Sequence, residues 1–492
     1  VYITDGNGIY ENAFQNCLNL THVDISNNIA YIAPGAFSGC GGLTSIVLPF
    51  CGISLDISYS SSDSTFGVIF GTASYTNGTR YGCYYNNSTS SSYRKYYYLP
   101  TNLKNITINQ GEIWNFFYSL THITNITLGD KVLYVGGSAF YGCTALKTVV
   151  IGDGCTYIGA SSFSGCTSLE SVTIGKSVTY IGNQAFYNTL LLKNVYYNAV
   201  ECADLNTSNS TFYRAGYTNG GLALTVGDGV KRVPGSLFYT STSSSYLHKL
   251  TTVTFVGTTC TEIGTYAFYY STSLTTLKLP NSITSVGRYA FDNCTAYTLN
   301  NYSNANYVPS TNNDYFVLYK ATSTSITSCT LHASTVVIAD YAFYDCVNMT
   351  GELTITAAVK YIGHHSFDDC DDMTSVNIQG NVLTIGDYAF YDCTYMTTIN
   401  IPNSIEKIGM YAFNNCSRLS YTTLIENVYY LGNSSKPQLV VWKVGSTSIT
   451  SYNIASSTRI IMPYAFYNCD DVTSALSLGS NLVYVGDYAF YG

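Results

Sequence analysis

Charge is scarce in this 492-residue chain. Asp, Glu, Lys and Arg together make up 10% of it, against roughly 25% in ordinary soluble domains. The net charge of −8 is modest and no basic run stands out, which argues against nucleic acid, whose phosphates call for clustered Lys and Arg. No stretch approaches the roughly 20 apolar residues of a membrane-spanning helix, and no signal peptide is visible. The sequence also lacks a Ser/His/Asp arrangement, a glycine-rich phosphate cradle and a carboxylate pair beyond chance. It has no Cys-x-x-Cys pair to chelate a metal. These absences argue against an enzyme, a resident metal or a cofactor. Ser, Thr, Asn and Tyr take the place of charge, with 49 Tyr alone.

What is there is a repeat. The motif I/V-G-x-x-A-F-x-x-C recurs, as in Thr384-Ile-Gly-Asp-Tyr-Ala-Phe-Tyr-Asp-Cys393 and Lys407-Ile-Gly-Met-Tyr-Ala-Phe-Asn-Asn-Cys416. Its Phe stands at 14, 37, 117, 140, 163, 186, 238, 268, 291, 343, 367, 390, 413, 466 and 490; seven intervals are 23 residues and two are 24. A fixed period of this length means a stacked solenoid, because one such unit cannot bury its apolar face alone. Each Phe is followed by an L-x-x-V-x-I spacing, as in Leu169, Val172 and Ile174. That spacing places apolar side chains inward along a short strand and Ser171 and Thr173 outward. The A-F segment reads as one short helical turn. It is ended two residues later by Gly, Asn or Asp, residues that tolerate a left-handed backbone. Ser119, Thr240 and Tyr270 break that rule, and their coils are expected to close differently. In the 24-residue intervals the strand pattern slides by one (Leu353 and Ile355; Leu476 and Leu478), which puts the extra residue before the strand.

The expected architecture is a single repeat solenoid over 1–492, a coil of short parallel strands with short helical turns. Insertions or divergent coils are expected at about 50–102, 190–233, 297–333 and 420–456. Phe212 near the middle of the second marks an extra coil, whereas the third and fourth resemble each other and each reads as a β-hairpin. The chain opens at Val1 inside a repeat and ends one residue short of the expected Cys, so it reads as a piece of something longer. Ten of the 16 Cys lie three residues after a repeat Phe, where Leu120, Thr189, Ser241 and Ser271 also occur. A slot with those occupants wants a small buried side chain, so free packing thiols are expected rather than a metal or disulfide ladder.

The repeat unit resembles the BspA-like leucine-rich repeat family, whose hallmark is a 23-residue unit L-x-x-[IV]-x-[IL]-P-x-x-[IV]-x-x-I-G-x-x-A-F-x-x-C. The resemblance covers nearly the whole chain. It implies a right-handed leucine-rich-repeat coil and a secreted or surface-displayed protein that adheres to host matrix proteins or to other cells. It supplies no catalytic positions.

Candidate binding residues follow from the outward strand positions, chiefly Ser171, Thr173, Thr276, Lys278, Asn377, Thr398 and Asn400. Stacked coils turn them into a polar, mostly uncharged sheet face. Such a face suits a protein partner or, alternatively, a glycan; the bland reading is a merely solvated surface. Tyr beside the A-F pair, as at 388, 411 and 464, offers an aromatic contact ladder, but rings stacked on neighbouring coils are the better expectation. His364 and His365 next to Asp368 and Asp369 suggest a metal only superficially, because Asp369 and Cys370 occupy turn and core slots.

Overall fold

The structure is a computed structural model and describes residues 1–241, 247–419, 422–473 and 477–492. The chain divides into two units, Val1–Leu277 with Tyr289–Thr298, and Lys278–Arg288 with Leu299–Gly492.

The first unit is built on a parallel sheet to which each coil adds one short strand. Thr148–Ile151, Ser171–Ile174 and Asn194–Tyr197 are successive rungs. They pair residue for residue, with Val149, Val172 and Val195 in line and buried. The alternation is the strand period of two: Val172 and Ile174 point into the core, while Ser171 and Thr173 stay half-exposed. Phe212 sits between Phe186 and Phe238 at ring centroid distances of 5.1 and 4.5 Å, so 190–233 is one further coil of the stack. The stretch from 50 to 102 holds a 3-10 turn at Phe66–Phe70 that takes the place of an A-F segment, for the Phe37 amide donates to Ile69 O as other repeat Phe amides do to the next coil. An antiparallel hairpin, Gly78–Tyr84 with Arg94–Pro100, then leaves the coil.

The second unit stacks Gly351–Ile355, Met373–Ile378 and Thr398–Asn400 on one side and Val337–Ile338, Tyr361–Ile362, Thr384–Ile385 and Lys407–Ile408 on another, all parallel. Gly351 has φ +83° and the register shifts between it and Glu352. Leu353 and Ile355 pair with Val376 and Ile378, which stand one residue nearer their own repeat Phe, so the extra residue of that 24-residue interval lies before Leu353. Leu476, in the other such interval, is outside the described residues. The two similar insertions are antiparallel, and each carries one strand more than a hairpin needs. Asn300–Tyr302, Ala305–Val308 and Val317–Ala321 form one, and Thr422–Ile425, Val428–Leu431 and Val440–Val444 the other. Tyr307 and Tyr430 are buried at equivalent positions, and their hydroxyls accept the His332 and Ala455 amides at 3.2 Å.

The repeat motif can be read atom by atom. Around Phe140 the segment is a run of overlapping four-residue turns (Ala139 N–H to Gly136 O, Tyr141 N–H to Ser138 O, Cys143 N–H to Phe140 O) rather than a helix. The reason is a left-handed residue at both ends, Ser138 at φ 57° and Gly142 at φ 68°. Ser119 and Tyr270, expected as exceptions, are left-handed like the rest at 58° and 59°, whereas Thr240 is not. The turn geometry prevails over the side chain. The I-G glycine is set by close approach of backbones: a Cβ on Gly182 would lie 2.4 Å from Ala160 N, and one on Gly409 2.4 Å from Asp387 N.

The thiol slot also has a specific role. Cys143, Cys166, Cys370, Cys393 and Cys416 each donate S–H to the carbonyl of the Phe on the preceding coil, at 3.1 to 3.3 Å. Burial pushes Cys166, Cys370, Cys393 and Cys416 up, Cys416 to about 12, so these four stay protonated donors at neutral pH. Thr189 fills the slot with a hydroxyl, which donates to Phe186 O instead. Cys17 is exposed and Cys469 half-buried, because these coils pack less completely than those in the middle of their units.

Candidate functional site

The predicted face residues fall into separate places. Ser171 and Thr173 lie half-buried on the open sheet of the first unit, Ser171 between Thr148 and Asn194, Thr173 between Val150 and Tyr196. Thr276 is exposed on the last rung of that sheet, opposite Thr252. Lys278 is exposed and belongs to the second unit. The sheet of the first unit is less neutral than its strands suggested. Glu170 lies 2.8 Å from Lys193 and 3.9 Å from Lys147, and Lys176 lies 2.9 Å from Asp153. Lys193 holds the Glu170 carboxyl below the usual range, and Lys176 does the same for Asp153. Such exposed pairs add little stability, but they compensate the charge on that face. The sequence signal was available: opposite charges one period apart, as at 147, 170 and 193.

Asn377, Thr398 and Asn400, by contrast, are brought together. Adjacent strands place Asn377 beside Asn400 and Ser375 beside Thr398. With Glu352 and the loop 432–437 they line a cavity of about 380 Å³. The floor is strand and the wall is the connection between two strands of the second insertion. Asn433 builds that wall. Its side-chain oxygen accepts the Ser435 and Lys436 amides at 3.0 and 2.9 Å, while its amide donates to Ile401 O at 2.7 Å and Asn403 Oδ1 at 3.1 Å. The Ile401 amide returns a bond to Gly432 O at 3.0 Å. The wall is thereby fixed to the end of the strand that carries Asn400. Asn400 donates to Ile378 O at 3.2 Å, and Asn377 reaches Glu352 Oε1 at 3.5 Å, a contact at the limit of a hydrogen bond. Both side-chain amides thus use a donor and keep acceptor capacity.

Glu352, Asn433 and Ser434 escaped the sequence reading. The insertion was visible, but which way its turn folds depends on the Asn433 bonds, and these have no periodic signature. His364 and His365 take different partners. His364 Nδ1 lies 3.2 Å from Asp387, whereas His365 bonds Asp368 and stacks between Tyr341 and Tyr388. No cluster of three or more potential metal ligands occurs among the described residues.

The family profile described as BspA type leucine rich repeat region matches in six copies, over residues 7–60, 87–217, 241–320, 310–435 and 444–492. The chain belongs to this family. Solved structures are similar to it at low identity. A leucine-rich repeat protein from Bacteroides ovatus is 18% identical, with a TM-score of 0.28, and the match covers 99% of this chain and 92% of that one. A leucine rich cell surface protein from Faecalibacterium prausnitzii is 22% identical, with a TM-score of 0.25, over 70% and 85%. The pneumococcal vaccine antigen PcpA is 14% identical, with a TM-score of 0.25, over 77% and 80%. No curated protein matches the chain. No described helix is long and apolar enough to cross a membrane.

Proposed function

We propose that this BspA-type chain is a non-catalytic protein-interaction scaffold, displayed at a cell surface or secreted, that adheres to a surface or matrix protein of a host or neighbouring cell. The observation that carries the reading is the cavity of Asn377, Thr398 and Asn400 against the Asn433 wall. A fixed recess of hydrogen-bonding groups on an extended repeat face can orient a partner, which a merely solvated sheet does not. Membership of a repeat family whose members act through extended faces supports it. Ser171, Thr173, Thr276 and Lys278 would widen the contact on the strand faces, with modest affinity per site raised by repetition.

The test is a screen of immobilised chain against matrix and cell-surface proteins beside a glycan array, followed by the triple variant Asn377→Lys, Thr398→Lys, Asn400→Lys. A protein partner that loses at least ten-fold affinity to the variant, with circular dichroism unchanged and little dependence of the parent's binding on salt, supports the proposal. Binding only to glycans at these residues points to the glycan reading instead. A partner that ignores this variant but is lost when Tyr388, Tyr411 and Tyr464 are replaced puts the working surface on the aromatic ridge.

A further inference from the structure

A second recess lies in the first unit, and neither the repeat nor the proposed function accounts for it. The strands Asn105–Ile113 and Asn125–Val135 are the longest of their sheet and run on past the ordinary rung, with register shifts between Ile108 and Gln110 and between Gly111 and Glu112. The inserted stretch 50–64 folds against this extension and encloses a cavity of about 430 Å³ over buried Phe50 and Phe116. That volume is within the usual range for small-ligand sites, roughly 300–1,000 Å³.

Its lining has two kinds of surface. One is apolar and open to solvent: Leu55 is 48% exposed, Leu133 55% and Tyr59 41%. These three large apolar side chains are exposed around one recess rather than scattered singly. Tyr59 ends an aromatic row. One of its faces stacks on Trp114 at 4.4 Å, and Trp114 continues to Tyr134 at 4.8 Å, whereas Tyr59 has no other ring partner among the described residues. The other kind of surface is polar. Gln110, Glu112 and Lys131 stand on the two extended strands at the mouth. The Trp114 indole N–H donates to Glu112 Oε2 at 3.0 Å, which fixes the carboxylate and leaves its second oxygen to accept from a ligand.

We propose that this cavity binds one or two neutral sugar units of a glycan. An acid, a base and a carboxamide at one mouth give donors and acceptors without net charge, which suits hydroxyls better than a phosphate or a charged peptide. A pyranose has an apolar C–H face as well as a rim of hydroxyls, and the open Tyr59 ring beside Leu55 and Leu133 offers the surface for that face. The site is independent of the protein-binding face on the second unit, so either can fail alone.

Trp114 and Trp442 are the chain's 2 Trp residues, which gives a direct reporter. In a Trp442→Phe background, neutral disaccharides of hexoses and N-acetylhexosamines should change Trp114 emission saturably. Glu112→Gln and Leu133→Asp, both at exposed positions, should each weaken that binding at least ten-fold. A glycan array read with the unmodified chain and with Glu112→Gln gives the same comparison without the Trp442 change. The proposal is overturned if no sugar in the panel titrates, if the two variants bind as the parent does, or if short aromatic peptides titrate where sugars do not.

Discussion

The two units share the Phe column and differ in the second aromatic row beside it. In the first unit Tyr59, Trp114, Tyr134, Tyr157 and Tyr180 follow one another at 4.4 to 4.8 Å, the last three from paired strands. The left-handed position two residues before Phe is mostly small or polar there, as at Asn12, Ser138, Ser161, Gln184 and Ser236, and becomes Tyr only at 266 and 289. In the second unit the row has moved onto that left-handed position. Tyr341, His365, Tyr388, Tyr411, Tyr464 and Tyr488 all have φ between 50° and 61°, and consecutive rings lie 4.6 to 5.3 Å apart. A left-handed backbone costs a non-glycine residue about 1–2 kcal/mol. Stacking of an aromatic pair returns about 0.5–1.5 kcal/mol beyond area burial. The comparison teaches that the turn dictates the backbone and the neighbouring coil decides which side chain can tolerate it.

The largest expected effect tests what the units have in common. Phe163 stacks between Phe140 and Phe186 at 5.1 and 5.3 Å, and Phe390 between Phe367 and Phe413 at 5.1 and 5.6 Å; both are 0% exposed. Phe163→Ala and Phe390→Ala should each cost about 3–5 kcal/mol, the transfer term plus the cavity left between two coils that cannot collapse onto each other. Denaturant melts monitored by hydrogen exchange in the mutated coil would show it. A cost well under half of this in either unit would mean that its coils are held by something other than the column.

Acid should separate the units. His248 is buried in the first unit, its Nε2 bonded to Phe238 O at 2.8 Å. Burial lowers its pKa to about 4, and Lys249 nearby adds to this. The folded pKa lies below the unfolded value, so the contribution is fully present above about pH 6.5 and is lost as pH falls toward 4, about 3 kcal/mol in all. Burial likewise lowers His122 in the same unit to about 4. In the second unit burial raises the pKa of Asp368, only partly offset by His365. A raised carboxyl has the opposite sign: its contribution is present in acid and lost as pH rises. Hydrogen exchange, corrected for intrinsic rates, should therefore open the coils around His248 between pH 6.5 and 4.5 before those around Asp368. Simultaneous opening would show that these two groups do not govern acid stability.

The parts of this molecule that repeat were legible in the sequence. Period, inward strand positions, the left-handed stop after Phe and the shared pattern of the two insertions all recur, so each copy corroborates the others. Four things were not legible. The left-handed residue before Ala-Phe was hidden because Tyr occupies it in the second unit, and Tyr carries no turn signature. The Asn433 wall and the Trp114 recess each occur once and rest on contacts between segments far apart in sequence. The thiol slot was recognised by size, but its reason, an S–H bond to the preceding Phe carbonyl, is a matter of distance that spacing does not contain.

The smallest effect isolates the stack itself. Ser161 is left-handed at φ 55° and belongs to no ring stack. Ser161→Gly removes strain of about 1–2 kcal/mol and adds unfolded-chain entropy worth about 0.5–1 kcal/mol, so it should stabilise the first unit by about 0.5–1 kcal/mol. Tyr388 is left-handed at φ 54° and stacks on His365 and Tyr411 at 4.6 and 5.2 Å. Tyr388→Gly gains the same relief but loses two ring contacts, so the sign should reverse, to a loss of about 1 kcal/mol. Tyr388→Ala keeps the strain and loses the rings, and should be the worst of the three. Chemical denaturation would rank them. If Tyr388→Gly stabilised as much as Ser161→Gly, the rings of the second unit would contribute nothing to holding that backbone. The row would then be better understood as a surface kept for a partner than as a support for the coil.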